Sequence, residues 1–321
     1  MSATKPDLAA RALQGLARYE SAPRSRTNRT CSVIASVGPA SLRDCGGNGP
    51  PAVLVPSLIN PPHVLDLDEE SSLAAAVAGM GRTALLVDWG KAGERSGLDL
   101  GGHVEQLLLP LLRQSGGQPA LVGYCLGGTM AIAAANLMPV ERVATLAAPW
   151  RFSAYPAESR ESLQRLWENA GPAAARLGAL PMEVLQGAFW SLDPERTVAK
   201  FAEFAGFEVG SDKVRRFIAL EDWSNEGEPL PYPAARELIE DLFDLDRPGR
   251  GEWRVGGRIV SDSLGCPLLN VTAADDRITP AAAAPAGEAV QLDSGHVGMV
   301  VGSARAKLHE ALAKFLDAPC R

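Results

Sequence analysis

Short apolar runs alternate with helix-forming stretches along most of this chain. Runs near 32–37, 52–56, 83–88, 119–124, 142–147 and 267–273, with a last one near 289–292, have the length and bounding turns of strands. Ala52-Val-Leu-Val55 and Ala84-Leu-Leu-Val87 show no polar alternation, the pattern of parallel strands covered on both faces. Helices predicted near 70–80, 103–114, 128–137 and 304–316 would supply the two covers. From about 150 to 250 the strand rhythm stops and the sequence turns helical, with Trp150, Trp167, Trp190 and Trp223.

This pattern divides the chain into an N-terminal helix (Pro6–Tyr19) and linker over 1–30, a first core part over 31–150, a helical cap over 151–253 and a second core part over 254–321. The basic stretch Arg24-Ser-Arg-Thr-Asn-Arg29 is a solvated linker in this reading, and Pro280-Ala-Ala-Ala-Ala-Pro-Ala286 the start of a helix. No internal repeat is present.

Between the run Pro119-Ala-Leu-Val-Gly-Tyr124 and the helix former Thr129-Met-Ala-Ile-Ala-Ala-Ala-Asn-Leu137 stands Gly123-Tyr124-Cys125-Leu126-Gly127-Gly128. A strand that turns directly into a helix needs small residues two places before and two after the turning residue, and Gly123 and Gly127 fill them. This is a nucleophile elbow with cysteine at its tip. There the Cys125 sulfur meets the positive end of a helix, which favours a thiolate, and Leu126 N–H becomes an oxyanion donor.

Four histidines are candidate bases: His63, His103, His296 and His309. His309 falls in an amphipathic terminal helix, where it faces solvent or packs. His103 precedes a helix and is expected at the surface. His63 lies in the loop after the 52–56 run and is expected to be a structural hydrogen-bonder. His296 follows the short strand Ala289-Val-Gln-Leu292 in the turn Asp293-Ser-Gly-His296. Asp276, preferred to Asp275, ends the run Pro267-Leu-Leu-Asn-Val-Thr-Ala273 and can accept the second imidazole N–H. The chain order Cys125, Asp276, His296 is that of the α/β-hydrolase fold.

These residues together resemble the polyhydroxyalkanoate (poly-3-hydroxybutyrate) synthase family. Its box Gly-x-Cys-x-Gly-Gly is met by Gly123–Gly128, its acid motif by Asp276-Arg-Ile-Thr-Pro280 and its base motif by Gly295-His296-Val297. Val53 to Leu67 is similar to its early strand and oxyanion loop, and Leu85-Leu-Val-Asp-Trp-Gly90 to its Ile-Asp-Trp strand end. Phe189–Pro194 and Leu220–Asn225 resemble its substrate-covering region, and Gly256-Gly-Arg-Ile-Val260 the strand that returns to the core. The resemblance runs over roughly residues 30 to 316. Arg277 stands where the family has histidine, and Ser57 where it has a second proline.

The resemblance implies an α/β-hydrolase fold with an inserted helical cap, and an acyltransferase that forms an acyl-enzyme on Cys125 from a 3-hydroxyacyl-coenzyme A thioester. The acyl group then passes to a hydroxyl acceptor, with His296 as base and Asp276 orienting it. Backbone N–H groups of Leu126 and Ile59 would bind the oxyanion; the cap tryptophans are either ordinary core packing or the lining of an acyl tunnel, for which Trp223 is the best candidate. The alternative is a hydrolase with the same cysteine nucleophile and water as acceptor. In size the chain looks like the short synthase class, which implies a partner subunit or homodimer, polyester biosynthesis and a place at the granule surface. No cofactor is implied beyond the coenzyme A thioester, which is substrate.

Composition narrows the picture further. At 46% hydrophobic content over 321 residues a large core can be buried, and no apolar run approaches the roughly 18 residues of a membrane span. With no apolar signal core in Met1-Ser-Ala-Thr-Lys-Pro-Asp7, a cytoplasmic enzyme is expected. The net charge of −7 argues against nucleic acid. Five cysteines (Cys31, Cys45, Cys125, Cys266, Cys320) fit reduced thiols better than a disulfide framework, and no spacing suggests a metal.

Overall fold

A computed structural model describes residues 5–24 and 31–319, so the basic stretch from 25 onward and Cys320 lie outside the described residues. Helix α1 (Lys5–Glu20) leads to strands β1 (Ser32–Val37), β2 (Ala40–Asp44) and β3 (Pro51–Val55). Next come helix α2 (Leu73–Gly79) and strand β4 (Thr83–Asp88). A long helix then begins as α3 (Leu100–Gly102), widens into a π-turn at His103–Leu108 and ends as α4 (Leu109–Leu112). Pro110 has no N–H to give to the preceding turn, which explains the widening. Strand β5 (Ala120–Tyr124), helix α5 (Leu126–Leu137) and strand β6 (Arg142–Leu146) follow.

After β6 come helix α6 (Ala157–Leu177), strand β7 (Ala179–Leu180) and helices α7 (Met182–Ser191), α8 (Pro194–Phe204) and α9 (Asp212–Asn225). Strand β8 (Leu230–Pro231) pairs with β7, and helix α10 (Tyr232–Arg236) continues into a second π-turn, Glu237–Asp244. The hairpin β9 (Arg254–Val255) and β10 (Arg258–Ile259) precedes strands β11 (Leu268–Ala273) and β12 (Glu288–Leu292). Helices α11 (Gly298–Val301) and α12 (Arg305–Asp317) end the described chain.

Eight strands form one sheet in the order β1-β2-β4-β3-β5-β6-β11-β12. Strands β3 to β6, β11 and β12 run parallel, and the β1–β2 hairpin adds an antiparallel edge. Alternate residues of the central strands enter opposite layers. Val53, Val55, Leu85, Val87 and Leu121 pack with the 100–112 helix and α5, while Leu54, Leu86 and Val122 pack with α2 and α12. Both faces are therefore dry, as the unbroken apolar runs require.

Several expectations need correction. Strand β2 falls outside the expected set, because Ala40-Ser-Leu-Arg-Asp44 mixes small, polar and apolar residues in a half-covered strand next to the sheet edge. The hairpin it makes brings Cys31 and Cys45 together as a disulfide with Cα atoms 4.5 Å apart, so these two are not the free thiols expected; Cys125 and Cys266 are free. The 280–286 segment forms only a single 3-10 turn, Ala281–Ala283, since Pro285 blocks a longer helix. Gly256–Val260 contributes to the separate β9–β10 hairpin, and the main sheet resumes at Leu268.

His103 is wholly buried. Its Nδ1 lies 2.6 Å from the Asp99 carbonyl and its Nε2 accepts from Arg95 at 3.1 Å. Helix α1 docks on α8 so closely that a Cβ at Gly15 would fall 1.9 Å from the Phe201 carbonyl oxygen. There Arg18 donates to the carbonyls of Phe204, Ala205 and Phe207, which end α8. Among the described residues no helix is long and apolar enough to cross a membrane.

Candidate active site

The turn between β5 and α5 is tight. Cys125 adopts φ 54°, a conformation that costs a non-glycine residue energy and persists only where its surroundings enforce it. The enforcement is visible on both sides. A Cβ at Gly123 would lie 2.4 Å from Gly128 Cα, and one at Gly127 would lie 2.1 Å from the Val55 carbonyl oxygen. Cys125 N–H donates to the Leu146 carbonyl at 2.9 Å, tying the turn to the end of β6. Leu126 opens α5, so its N–H has no partner within the helix.

Asp276 and His296 come from the loops after β11 and β12. Asp276 is buried, whereas Asp275 is exposed. Its Oδ1 accepts the N–H groups of Ile278 (2.8 Å) and Thr279 (2.7 Å), and its Oδ2 lies 2.7 Å from His296 Nδ1. Two backbone donors and one imidazole fix this carboxylate. His296 is 8% exposed and lies near enough to Cys125 for that side chain to act on its titration. Burial alone would lower the imidazole pKa, but Cys125 and Asp276 outweigh it and raise it to about 10. Asp276 and His296 are thus joined directly, and Cys125 is close enough to influence the imidazole.

Two tyrosines complete the surroundings, and neither was singled out from the sequence. Tyr124 donates its hydroxyl to the His296 carbonyl at 3.3 Å. Tyr155, from the segment leading into α6, lies near Thr279 and feels the charges of Cys125 and Asp276. Burial first, and those charges second, raise both phenols well above their ordinary value, so both are neutral. Tyr124 had a usable signal, since it immediately precedes the turning cysteine; Tyr155 had none.

The other expected positions make contacts of their own. Ile59 N–H faces the Ser57 hydroxyl oxygen at 3.4 Å, and its carbonyl accepts Glu228 N–H at 3.0 Å. The part of that loop against the elbow is Val55-Pro56, whose carbonyls both touch the Gly127 position. Trp223 is 6% exposed and donates its indole N–H to the Pro61 carbonyl at 2.9 Å, joining α9 to the same loop. His309 is half-buried on α12. His63 lines a cavity of about 500 Å³ beside the loop, together with Cys31, Asp66, Lys91, Arg95 and Glu228. The acid loop is bridged to the helical segment by Arg277 and Asp193, 3.2 Å apart, with Asp193 also capping α8.

Sheet order, flanking helices and the cysteine turn define an α/β-hydrolase fold. Solved structures agree: epoxide hydrolase A from Mycobacterium thermoresistibile aligns with a TM-score of 0.56 at 17% identity, covering 91% of this chain and 99% of that one. A putative aryl esterase from Burkholderia cenocepacia aligns at 0.53 and 14% identity, covering 89% and 98%. At such identities the likeness concerns the fold alone.

No family model matches the chain. It is nevertheless similar along most of its length to poly(3-hydroxyalkanoate) polymerase subunits PhaC. With that of Allochromatium vinosum it shares 26% identity over 291 residues, 83% of this chain and 80% of the relative. With that of Haloarcula marismortui it shares 27% over 275 residues, 79% of this chain but only 57% of the relative. The resemblance carried by the motifs thus extends over about four-fifths of this chain.

Proposed function

We propose that this protein is an acyltransferase of the polyhydroxyalkanoate synthase type. Cys125 is the nucleophile, His296 the acid and base, and Asp276 the residue that orients it. The observation that carries this reading is the His296 imidazole bonded to the buried Asp276 carboxylate, with Cys125 near enough to raise its pKa. The similarity to poly(3-hydroxyalkanoate) polymerase subunits supports a 3-hydroxyacyl-coenzyme A thioester as substrate.

In this mechanism the Cys125 thiolate attacks the thioester carbonyl, and Leu126 N–H, with a backbone N–H of the loop after β3, receives the oxyanion. The carbon–sulfur bond to coenzyme A breaks, and the leaving thiolate takes the proton held by His296. Neutral His296 then accepts the proton of a 3-hydroxyacyl hydroxyl as its oxygen attacks the acyl-cysteine. The growing ester is released from sulfur, and Cys125 and His296 return to their starting charges. A thiolate suits the first step because one thiolate replaces another, leaving the exchange nearly balanced.

Water in place of the hydroxyl would make the same site a hydrolase. Incubating purified protein with 3-hydroxybutyryl-coenzyme A, and following thiol release, free acid and insoluble polymer, separates the two. Polymer without equivalent free acid is expected; free acid alone would overturn the transferase reading.

A further inference from the structure

The β1–β2 register pairs Ser32 with Asp44, which sets Cys31 opposite Cys45 at the mouth of the hairpin. A third chain segment reaches the same point. Asp66 follows the 3-10 turn Pro62–Leu65, and its carboxylate and the two sulfurs all lie within 4.8 Å of one another. Three ligating atoms from three segments meet there.

Asp66 is 7% exposed, and it is not fully provided for. Its Oδ1 accepts the Ser72 hydroxyl, but its Oδ2 faces Cys31 Sγ at 3.4 Å. In a disulfide that sulfur carries no hydrogen. Among the described residues, one oxygen of a buried carboxylate is therefore left against a bare sulfur, an arrangement that costs free energy until a proton or a cation comes between them. Two nearby cations are committed elsewhere: Arg43, in the same cavity, is paired with Asp88 at 2.6 Å, and Arg95 is bound to His103 and the Leu58 carbonyl.

We propose that Cys31, Cys45 and Asp66 form a redox-gated site for a thiophilic divalent cation, with Zn²⁺ the ion that fits the donor set. Two thiolates and a carboxylate are three ligands of a tetrahedral zinc centre, at about 2.3 Å for sulfur and about 2.1 Å for oxygen. That geometry parts the two sulfurs to roughly 3.8 Å, within reach of side-chain rotation in a cross-strand pair. The fourth position opens on the cavity of about 500 Å³ that Cys31 and Asp66 line, which gives the ion a route in and a place for water.

The disulfide is the metal-free state. A phosphine reductant opens it: phosphorus takes an oxygen from water and becomes phosphine oxide, while the disulfide gains two electrons and two protons to become two thiols. The cation then displaces both thiol protons into the buffer. Because Asp66 ends the segment that begins with the loop after β3, the site ties the sheet edge to that loop. The proposal stands independently of the acyltransferase reading.

The test uses the full chain, reduced anaerobically with a water-soluble phosphine, freed of it by gel filtration and titrated with Co²⁺ as a spectroscopic stand-in for Zn²⁺. Expected is one equivalent bound with a thiolate-to-cobalt charge-transfer band, bleached by Zn²⁺ and absent from the oxidised protein. Cys31→Ser and Asp66→Asn should weaken binding tenfold or more, while Cys266→Ser keeps the band. The proposal is overturned if the reduced parent shows no band, or if the Cys31→Ser/Cys45→Ser protein keeps it. It is equally overturned if oxidised and reduced parent bind the ion alike, a comparison that needs no variant to fold.

Discussion

Tyr124 donates its hydroxyl to the backbone carbonyl of His296 at 3.3 Å, and the two rings lie 5.1 Å apart. The residue before the elbow cysteine thus holds the turn that carries the imidazole. Removing only the hydroxyl should loosen that turn without emptying the core. For Tyr124→Phe we predict a stability loss of about 1 kcal/mol, the usual worth of one buried hydrogen bond. The variant should lower kcat more than it raises KM, because the misplaced group is the imidazole. An unchanged kcat would show that His296 is held without Tyr124.

Gly127 tests the elbow's geometry. A Cβ there meets the Val55 and Pro56 carbonyl oxygens at 2.1 and 2.5 Å, both backbone atoms that cannot rotate away. Gly127→Ala should cost about 3 kcal/mol or more by overpacking. In contrast, a Cβ at Gly187 on α7 meets nothing within 4 Å. Gly187→Ala should be neutral or stabilising by up to about 1 kcal/mol, since alanine favours a helix. Urea unfolding midpoints of the two variants should move in opposite directions or differ widely.

Asp193 does two things and Arg277 one. Arg277 is largely exposed, so its ion pair is worth at most about 1 kcal/mol. Asp193 also accepts Arg196 N–H at 3.0 Å as the cap of α8, a role worth about 1 kcal/mol in itself. Arg277→Ala should therefore leave stability nearly intact, while Asp193→Ala lowers it further. Equal unfolding free energies in the two variants would contradict the capping role.

Two buried histidines should respond to pH in opposite senses. Burial, with Arg95 adding to it against the Asp99 hydrogen bond, lowers His103 to about 4. Its folded value lies below its unfolded one, so the unfolded chain takes up protons first and stability falls as pH drops from 6.5 through about 4. His103→Gln should blunt that acid loss. His296, raised to about 10 by Cys125 and Asp276 against burial, contributes stability that is full below 6.5 and lost as pH rises through about 10. The melting-temperature gap between the parent and His296→Gln should close on the alkaline side.

The central strands were legible because β3 and β4 are covered on both faces and so carry unbroken apolar runs. Cys125, Asp276 and His296 could be picked out because each closes a strand in a recognisable turn. Strand β2 is not legible in this way, since beside the edge strand β1 it is only half covered and tolerates Ser41 and Arg43, and the pairing of Cys31 with Cys45 is hidden with it. His103 was misplaced for a related reason. Its burial depends on Arg95 and on the Asp99 carbonyl, partners that hydrophobic periodicity does not register. The contacts of Ile59 and Trp223 depend on how the helical segment folds back over the loop after β3, and spacing along the chain carries no record of that.

The central claim is that an acyl group rests on the sulfur of Cys125. Acid-quenched reaction of the purified chain with 3-hydroxybutyryl-coenzyme A, followed by mass spectrometry of the peptide bearing Cys125, tests it most directly. The account predicts a 3-hydroxybutyryl adduct on Cys125 that forms more slowly in His296→Gln and is absent in Cys125→Ala. Release of coenzyme A by Cys125→Ala at the parent's rate, or an adduct on another residue, would contradict it.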